Sequence, residues 1–146
     1  MVILASVYSD DSNVLHSHCR FLYRLLGERL PHQSISHKKM PTYANHEKFV
    51  LLKPYKEWFI IYDGMMRVGS IYISKTDEIG LFILNEHHNK GYGGESLKTI
   101  IKEYPDCIFK ANINPNNYKS INFFKKHGFL WQTIDIMEGQ ITYIKL

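Results

Sequence analysis

Hydrophobic and polar positions divide the chain into short segments of two kinds. Apolar runs with β-branched and aromatic residues predict strands, and segments with apolar positions three and four residues apart predict helices. Because helices separate several of the strands, the pattern predicts one α/β sandwich of about seven strands and four helices. The predicted strands are 2–8, 57–62, 67–74, 78–84, 108–113, 129–136 and 140–145, and the predicted helices follow residues 12, 45, 94 and 115.

Capping residues and glycines place the ends of these helices. Residues 10–12 are N-cap types, and Gly27 ends the first helix. We expect Asn45 to cap a short second helix, and Asn114 with Pro115 to begin the fourth. The stripe of the first helix that we expect to be buried comprises Leu15, Cys19, Leu22 and Leu26.

Composition narrows the class of protein. With 146 residues, 45% of them hydrophobic and 22% charged, the chain predicts one globular domain that spans residues 1–146. No apolar stretch is long enough to cross a bilayer, and residues 1–8 have no basic region or cleavage site of a signal peptide. The two cysteines, Cys19 and Cys107, are far apart and typical of reduced thiols, so we expect a cytoplasmic protein.

Charge and histidine spacing indicate the kind of ligand. The chain has a formal net charge of +4, and its lysines are spread along the sequence. This distribution favours an anionic ligand or substrate over a nucleic acid, and we expect neither a nucleic-acid nor a membrane partner. The spacings of His16 with His18 and of His87 with His88 are poor for zinc, so we expect no metal.

A glycine-rich segment, residues 88–96, connects the strand 78–84 to the third predicted helix. Its glycines let a ligand approach the backbone, and unpaired N–H groups converge at a helix N-terminus, so the segment predicts an anion site. A P-loop would need Gly-Lys-Ser/Thr, and a dinucleotide fingerprint would need a glycine where Ser96 stands. The segment fits neither of these two phosphate-binding motifs.

Two motifs together resemble the GNAT superfamily of N-acetyltransferases. Gly91-x-Gly93 is similar to the acyl-CoA loop of that family, Gln/Arg-x-x-Gly-x-Gly/Ala, with His88 in the Gln/Arg position. Residues 114–129 resemble the family's Asn-x-x-Ala/Ser-x-x-x-Tyr-x-x-x-Gly-Phe segment. The second motif matches at Asn117, Ser120, Gly128 and Phe129, and the two motifs cover roughly the second half of the chain.

The resemblance implies a mixed, mostly antiparallel sheet in which the parallel strands 78–84 and 108–113 splay apart. The pantetheine arm of acetyl-CoA would enter that gap and pair with the backbone of residues 81–83. Amides of residues 89–94 would hold the pyrophosphate, and a residue matching Asn117 hydrogen-bonds the arm in the family. The residues that the resemblance assigns to the cofactor are Leu81, Phe82, Ile83, His88, Asn89, Lys90, Gly91, Tyr92, Gly93, Gly94, Asn117, Ser120 and Phe124.

The chain departs from the family at the residues that move protons. Phe124 stands where many members have the tyrosine that protonates the leaving thiolate, and Asn112 stands where some have a glutamate base. We therefore expect a carboxylate at the start of the central strand, Glu78 before Asp77, to assist removal of the acceptor's proton through water. Candidate acids are Tyr72, Tyr118 and Tyr143.

The expected activity is acetyl transfer from acetyl-CoA to a primary amine of a small molecule. The net positive charge suggests an amino sugar, with or without a linked nucleotide, as the first choice of acceptor, and we expect a monomer or homodimer. Two alternatives stay open: acetylation of a protein N-terminus or side chain, and a CoA-binding module without catalysis. The residues expected on or near the acceptor face are His37, Lys38, Lys39, Tyr43 and Trp58.

Overall fold

The structure of the protein is a computed structural model that describes residues 1–28, 39–135 and 140–145, with the backbone alone at 132–135. These residues form seven strands and four α-helices in a mixed α/β arrangement, as the sequence predicted. The turn expected around residues 138–139 and the expected acceptor residues His37 and Lys38 lie outside the described residues. The strands are β1 (Val2–Ser6), β2 (Glu57–Asp63), β3 (Met66–Ile73), β4 (Ile79–Ile83), β5 (Lys110–Ile113), β6 (Phe129–Asp135) and β7 (Gln140–Lys145). The helices are α1 (Ser12–Gly27), α2 (Tyr43–Leu51), α3 (Tyr92–Glu103) and α4 (Tyr118–Lys126).

The strands form two antiparallel sheets that touch at one point. The first sheet has the order β1-β2-β3-β4 and the second β5-β7-β6. A single parallel bridge between Glu78 and Lys110 connects them, next to a hydrogen bond of 2.9 Å from the Lys110 N–H to the Asp77 carbonyl. Beyond this bridge β4 and β5 have no ladder between them, which confirms the predicted splay of two parallel neighbours.

The first sheet separates two hydrophobic cores. On one face, Ile61, Ile71 and Leu81 pack with α3, α4 and the second sheet. On the other face, Trp58 and Phe82 pack with α1 and α2. Successive side chains of a strand point to opposite faces, so neighbouring residues of β4 belong to different cores.

The predicted starts of α2 and α4 are wrong by a few residues. Thr42, not Asn45, caps α2, because its side chain accepts a hydrogen bond of 3.2 Å from the Asn45 N–H. Asn117, not Asn114, caps α4, because the Asn114 side chain accepts from the Asn116 N–H at 2.9 Å and so forms a turn before the helix.

The buried face of α1 also differs from the predicted stripe. Cys19 and Leu22 are buried as expected, whereas Leu15 and Leu26 are only partly buried. His18 is buried because its two ring nitrogens have polar partners, the Val7 carbonyl at 3.0 Å and the Tyr62 hydroxyl at 2.9 Å. The residues of α1 that are buried are His18, Cys19, Phe21, Leu22 and Leu25. Within the described part of the chain, no helix has the length and apolar character needed to cross a membrane.

Candidate functional site

A groove of about 770 Å³ opens where β4 and β5 diverge. Its floor is β4, one wall is the glycine-rich segment with the first turn of α3, and the other wall is α4 with the end of β5. The thirteen residues predicted to contact a cofactor all line this single groove. The two predicted carboxylates, Asp77 and Glu78, are not among its lining residues, although the next residue, Ile79, is.

The glycine-rich segment is the N-terminus of α3 itself. Gly91 is the N-cap with φ 83°, a left-handed conformation that favours glycine, and the helix begins at Tyr92. The predicted start at residue 95 is therefore too late, and Gly93 and Gly94 lie in the first turn. The first N–H that bonds back into the helix is that of Glu95, to the Gly91 carbonyl at 3.1 Å. The earlier amides face the groove end of the helix, where the helix dipole favours an anion.

Two hydrogen bonds hold this helix end against the first sheet. The Tyr92 hydroxyl donates to Asp63 Oδ2 at 2.6 Å, and this bond raises the pKa of Tyr92. The Val2 N–H donates to Glu95 Oε1 at 2.9 Å. Because both partners lie in the sheet that carries β4, the helix N-terminus keeps a fixed position relative to the groove floor.

The backbone of β4 presents one unpaired edge to the groove. On the β3 side, the Glu78 carbonyl accepts from the Ser74 N–H at 2.8 Å, and the Leu84 N–H donates to the Val68 carbonyl at 2.9 Å. Backbone groups of alternate residues point to opposite edges of a strand. The N–H and C=O groups of Ile79, Leu81 and Ile83 therefore point toward the second sheet. Ile79 lies next to the bridge with Lys110, so the groups that an amide-bearing chain can pair with are those of Leu81 and the N–H of Ile83. Phe82, one of the predicted backbone partners, directs its N–H and C=O groups to β3, so only its side chain lines the groove.

His88 connects both walls of the groove. Its Nε2 lies 2.7 Å from the Ile83 carbonyl, and its Nδ1 lies 3.3 Å from Lys119 Nζ. A carbonyl can only accept, so Nε2 carries the proton and Nδ1 accepts from the ammonium group. The imidazole contacts the C=O of Ile83 and leaves the N–H of Ile83 directed at the gap.

Several groove residues escaped the sequence analysis. Lys98, Lys119 and Lys126 line the groove together with the expected Lys90 and give it a positive wall. His127 lines it too, and burial, with Lys98 and Lys126 nearby, lowers its pKa. Helical spacing could have indicated these lysines in the sequence. Lys98 lies one turn after Gly94 on α3, and Lys119 and Lys126 are seven residues apart on one face of α4.

Asn117 has a structural role that the sequence motif did not indicate. It is buried at the N-terminus of α4, and its Oδ1 accepts the Ser120 N–H at 3.2 Å. Its amide nitrogen remains as a donor beside the groove. The residue can therefore cap the helix with one atom and contact a ligand with the other.

The groups that could move protons are distributed unevenly around the groove. Asn112 Oδ1 accepts a hydrogen bond from the Thr142 hydroxyl at 2.7 Å, so this amide side chain is fixed, and an amide has no proton to exchange as a base. Asp77 Oδ1 lies 3.0 Å from Lys56 Nζ at the junction of the sheets. Among the three candidate tyrosines, Tyr72 lines the groove, whereas Tyr118 on α4 is exposed and the third, at position 143, is buried in the core.

A second cavity adjoins the groove on the opposite face of the first sheet. Its volume is about 230 Å³, and it shares Leu25, Tyr72 and Phe82 with the groove. Tyr72 can lie flat on β4 because its strand partner is Gly80, where a Cβ would meet the tyrosine ring at 2.0 Å. The two cavities therefore meet at the Tyr72 ring. Among the described residues, no group of three or more His, Cys, Asp or Glu side chains is arranged to hold a metal ion.

Comparison with known proteins agrees with this geometry. The family model described as the acetyltransferase (GNAT) family matches residues 19–129, which is most of the chain. That range begins in α1 and ends at the first residue of β6, so it includes the whole groove. No curated protein sequence matches the chain significantly.

Solved structures of acetyltransferases share the fold at low sequence identity. An acetyltransferase from Thermus thermophilus is 18% identical, with a TM-score of 0.77 over 99% of this chain and 96% of that chain. The ribosomal L7/L12 alpha-N-protein acetyltransferase RimL, in complex with coenzyme A, is 14% identical, with a TM-score of 0.77 over 99% and 93%. The spermidine N-acetyltransferase SpeG from Vibrio cholerae (F149G mutant) is 14% identical, with a TM-score of 0.73 over 98% and 92%. Given the family match and the shared fold, the chain belongs to the GNAT family of acetyltransferases, and it is an N-acetyltransferase.

Proposed function

We propose that the groove binds acetyl-CoA and that the protein transfers the acetyl group to a primary amine of a small molecule. The observation that supports this proposal best is the unpaired edge of β4, which runs toward the N-terminus of α3. A pantetheine arm has amides that can pair with a strand edge, and it ends in a pyrophosphate that a helix N-terminus favours. Both features lie in one groove, in the order that the ligand requires.

Three regions of the described residues contact different parts of the proposed ligand. The amides of residues 89–94 and the lysines at 90, 98, 119 and 126 surround the phosphates. Leu81 and Ile83 offer backbone groups to the arm, and the N–H of Ile83 is the donor we assign to the thioester oxygen. Asn117 and Ser120 face the arm from α4, with Phe124 packed behind them. Acetyl-CoA supplies an activated acyl group, so the protein needs to provide position, an oxyanion donor and proton transfer.

Acetyl transfer forms an N–C bond and breaks the C–S bond, so one proton must leave the amine and one must reach the thiolate. Phe124 has no proton to give, and among the three candidate tyrosines we assign Tyr72, which lines the groove, to protonate the thiolate. Glu78 is our proposed base. It acts through water, because its side chain does not line the groove. Asp77 is less suited, since its carboxylate already pairs with Lys56.

The acceptor differs among proteins that share this fold. RimL is named for acetylating the alpha-amino group of a ribosomal protein, and SpeG for acetylating spermidine. We favour a small-molecule amine because the cavity beside the thioester end of the groove holds only about 230 Å³. The free thiols of Cys19 and Cys107 fit a reducing, cytoplasmic compartment.

Titration calorimetry with acetyl-CoA and the Gly93→Asp variant tests the proposed binding site. An aspartate in the first turn of α3 suits the helix dipole, so the fold should persist. Its carboxylate would stand where the pyrophosphate is proposed to lie, and we expect affinity to fall at least tenfold. The matched control is Gly64→Asp, at a turn where nothing lies within 4 Å of an added Cβ. The φ of Gly64 is 61°, a left-handed value that aspartate adopts more readily than most residues, and a thermal melt of both variants checks that each remains folded.

The control variant should bind acetyl-CoA as the wild type does. Equal affinity of the Gly93→Asp variant and the wild type would remove the basis of the proposal. Release of free CoA thiol with an amine present distinguishes an enzyme from a CoA-binding module, because only an enzyme gives turnover.

A further inference from the structure

The second cavity has the chemistry of an aromatic binding site. Most of its wall consists of apolar and aromatic side chains from α1, α2 and the first sheet. Among the described residues that line it, none is Asp, Glu, Lys or Arg. The polar side chains that do line it are Asn45, His46 and Ser70.

Four aromatic rings form a continuous wall of this cavity. Tyr55 and Tyr72 stack in parallel with centroids 3.7 Å apart. The Trp58 ring meets the Tyr55 ring edge to face at 4.7 Å, and Phe49 meets the Trp58 ring at 6.2 Å. These contacts fix the rings before any ligand arrives, and the geometry is the one that aromatic groups prefer among themselves.

Size and position restrict the occupant further. A buried apolar cavity of about 150 Å³ can hold a benzene molecule, so about 230 Å³ accommodates one ring with a short side chain. The cavity joins the groove at Leu25, Tyr72 and Phe82. A molecule that fills the cavity with its ring therefore directs its free end toward β4, where the thioester is proposed to lie.

We propose that this cavity is the acceptor site and that it selects a primary amine with a single aromatic ring on a short chain. The inference rests on the proposed acetyltransferase function and specifies its substrate class. The ring packs against the four aromatic side chains, and the amine reaches the groove beside Tyr72.

Other acceptor classes fit the described lining poorly. A polyamine needs carboxylates to balance its charges, and the described lining residues have none. An amino sugar needs many hydrogen-bonding groups, whereas one of the polar candidates, His46, already has its Nε2 3.0 Å from the Cys19 carbonyl. The cavity therefore argues against the amino sugar that the net charge suggested.

The test combines binding and turnover with 2-phenylethylamine as the probe. Binding to the CoA-saturated protein is measured by calorimetry, and acetylation by release of CoA thiol. Ethylamine, which has the same amine without the ring, should show a kcat/KM at least tenfold lower. Spermidine, glucosamine and a tripeptide with a free N-terminus complete the panel, and each should be a poorer substrate than 2-phenylethylamine.

A variant locates the site without altering the core. Asn45→Trp places an indole from an exposed position of α2 into the cavity, and it should lower kcat/KM for 2-phenylethylamine at least tenfold while leaving acetyl-CoA affinity unchanged. Lys48→Trp is the matched control, since Lys48 is exposed on the same helix and does not line the cavity.

The outcomes separate this inference from the function on which it rests. Absence of acetyl-CoA binding would contradict the proposed function itself. Normal acetyl-CoA binding with no binding of 2-phenylethylamine, or with preference for the polyamine, the sugar or the peptide, would overturn the aromatic acceptor alone. An unchanged Asn45→Trp variant would also overturn it.

Discussion

Replacing Gly80 by alanine should destabilise the protein through one specific contact. An ideal Cβ at this position would lie 2.0 Å from Cε2, 2.1 Å from Cζ and 2.6 Å from Oη of Tyr72. Carbon atoms pack at about 3.5–4.0 Å, so the ring would have to move by roughly 1.5 Å. The ring is stacked on Tyr55 at 3.7 Å, which restricts that movement.

The size of the effect follows from three contributions. Overpacking of this kind costs about 1–3 kcal/mol, and a lost aromatic pair costs about 0.5–1.5 kcal/mol. Replacing glycine by alanine restricts the unfolded chain and returns about 0.4–1 kcal/mol. The free energy of unfolding should therefore fall by about 2–3 kcal/mol, which corresponds to a decrease in Tm of roughly 4–12 °C for a chain of this length.

Thermal unfolding followed by circular dichroism measures this change, and a double mutant identifies its cause. Once Tyr72→Ala has removed the ring, adding Gly80→Ala should lower the Tm no further. The control is Gly93→Ala, where an added Cβ has ordinary neighbours at 3.4 and 3.5 Å. The reasoning fails if Gly80→Ala melts with the wild type, or if it destabilises the Tyr72→Ala background as much as the wild type.

Three further predictions concern the helix cap, the buried histidine and the proposed base. Asn117→Asp retains the capping oxygen and loses the amide donor, so it should weaken acetyl-CoA binding at an unchanged Tm. Asn117→Ala should weaken binding and also lower the free energy of unfolding by about 1 kcal/mol, because the cap is lost. Calorimetry and thermal melts compare the variants, and an acetyl-CoA affinity equal to that of the wild type would exclude the cofactor contact. Burial lowers the pKa of His18, with Arg67 adding to the effect and the bond to Val7 opposing it, so the folded state binds fewer protons than the unfolded chain. The stabilising contribution of neutral His18 is therefore present above the unfolded-state pKa of about 6.5 and is lost as the pH falls below it. Urea titrations measure the free energy of unfolding at pH 7 and at pH 5, and the decrease between the two should be smaller for His18→Gln than for the wild type. Glu78→Gln should lower kcat and flatten the acid limb of the pH–rate profile at unchanged acetyl-CoA affinity, while Asp77→Asn should keep the wild-type profile; a wild-type profile for both variants would move the base elsewhere.

The sequence predicted the order of elements well because the relevant signals are local. Period-two and helical patterns located all seven strands and four helices of the described residues, and the glycine segment with the Asn117 motif indicated the groove. Errors arose where two polar residues compete for one role. Asn114 and Asn117 both suit a cap, and only the backbone geometry decides that the first forms a turn and the second caps α4.

The second cavity could not be predicted, since it assembles side chains distant in sequence. Leu25 on α1, Trp58 on β2 and Phe82 on β4 meet only because the sheet order places their strands and helices together. The position of the Tyr72 ring could not be predicted either, because it depends on the cross-strand pairing with Gly80. Register and sheet order are long-range properties, and a residue pattern specifies them weakly.

Successive side chains of β4 face different cores, and this affects which substitutions can alter substrate specificity. Leu81 and Ile83 face the cofactor side, whereas Phe82 faces the second cavity, as do the neighbouring Trp58 and Tyr72. Tyr72 and Phe82 line both cavities, whereas Trp58 lines only the second one, so a substitution at Trp58 would reshape the proposed acceptor site while the groove keeps its own side chains. If the proposed sites are correct, acceptor choice can change without loss of cofactor binding at positions that line only the second cavity, such as Phe49 and Trp58, and a library for new specificities would be confined to them.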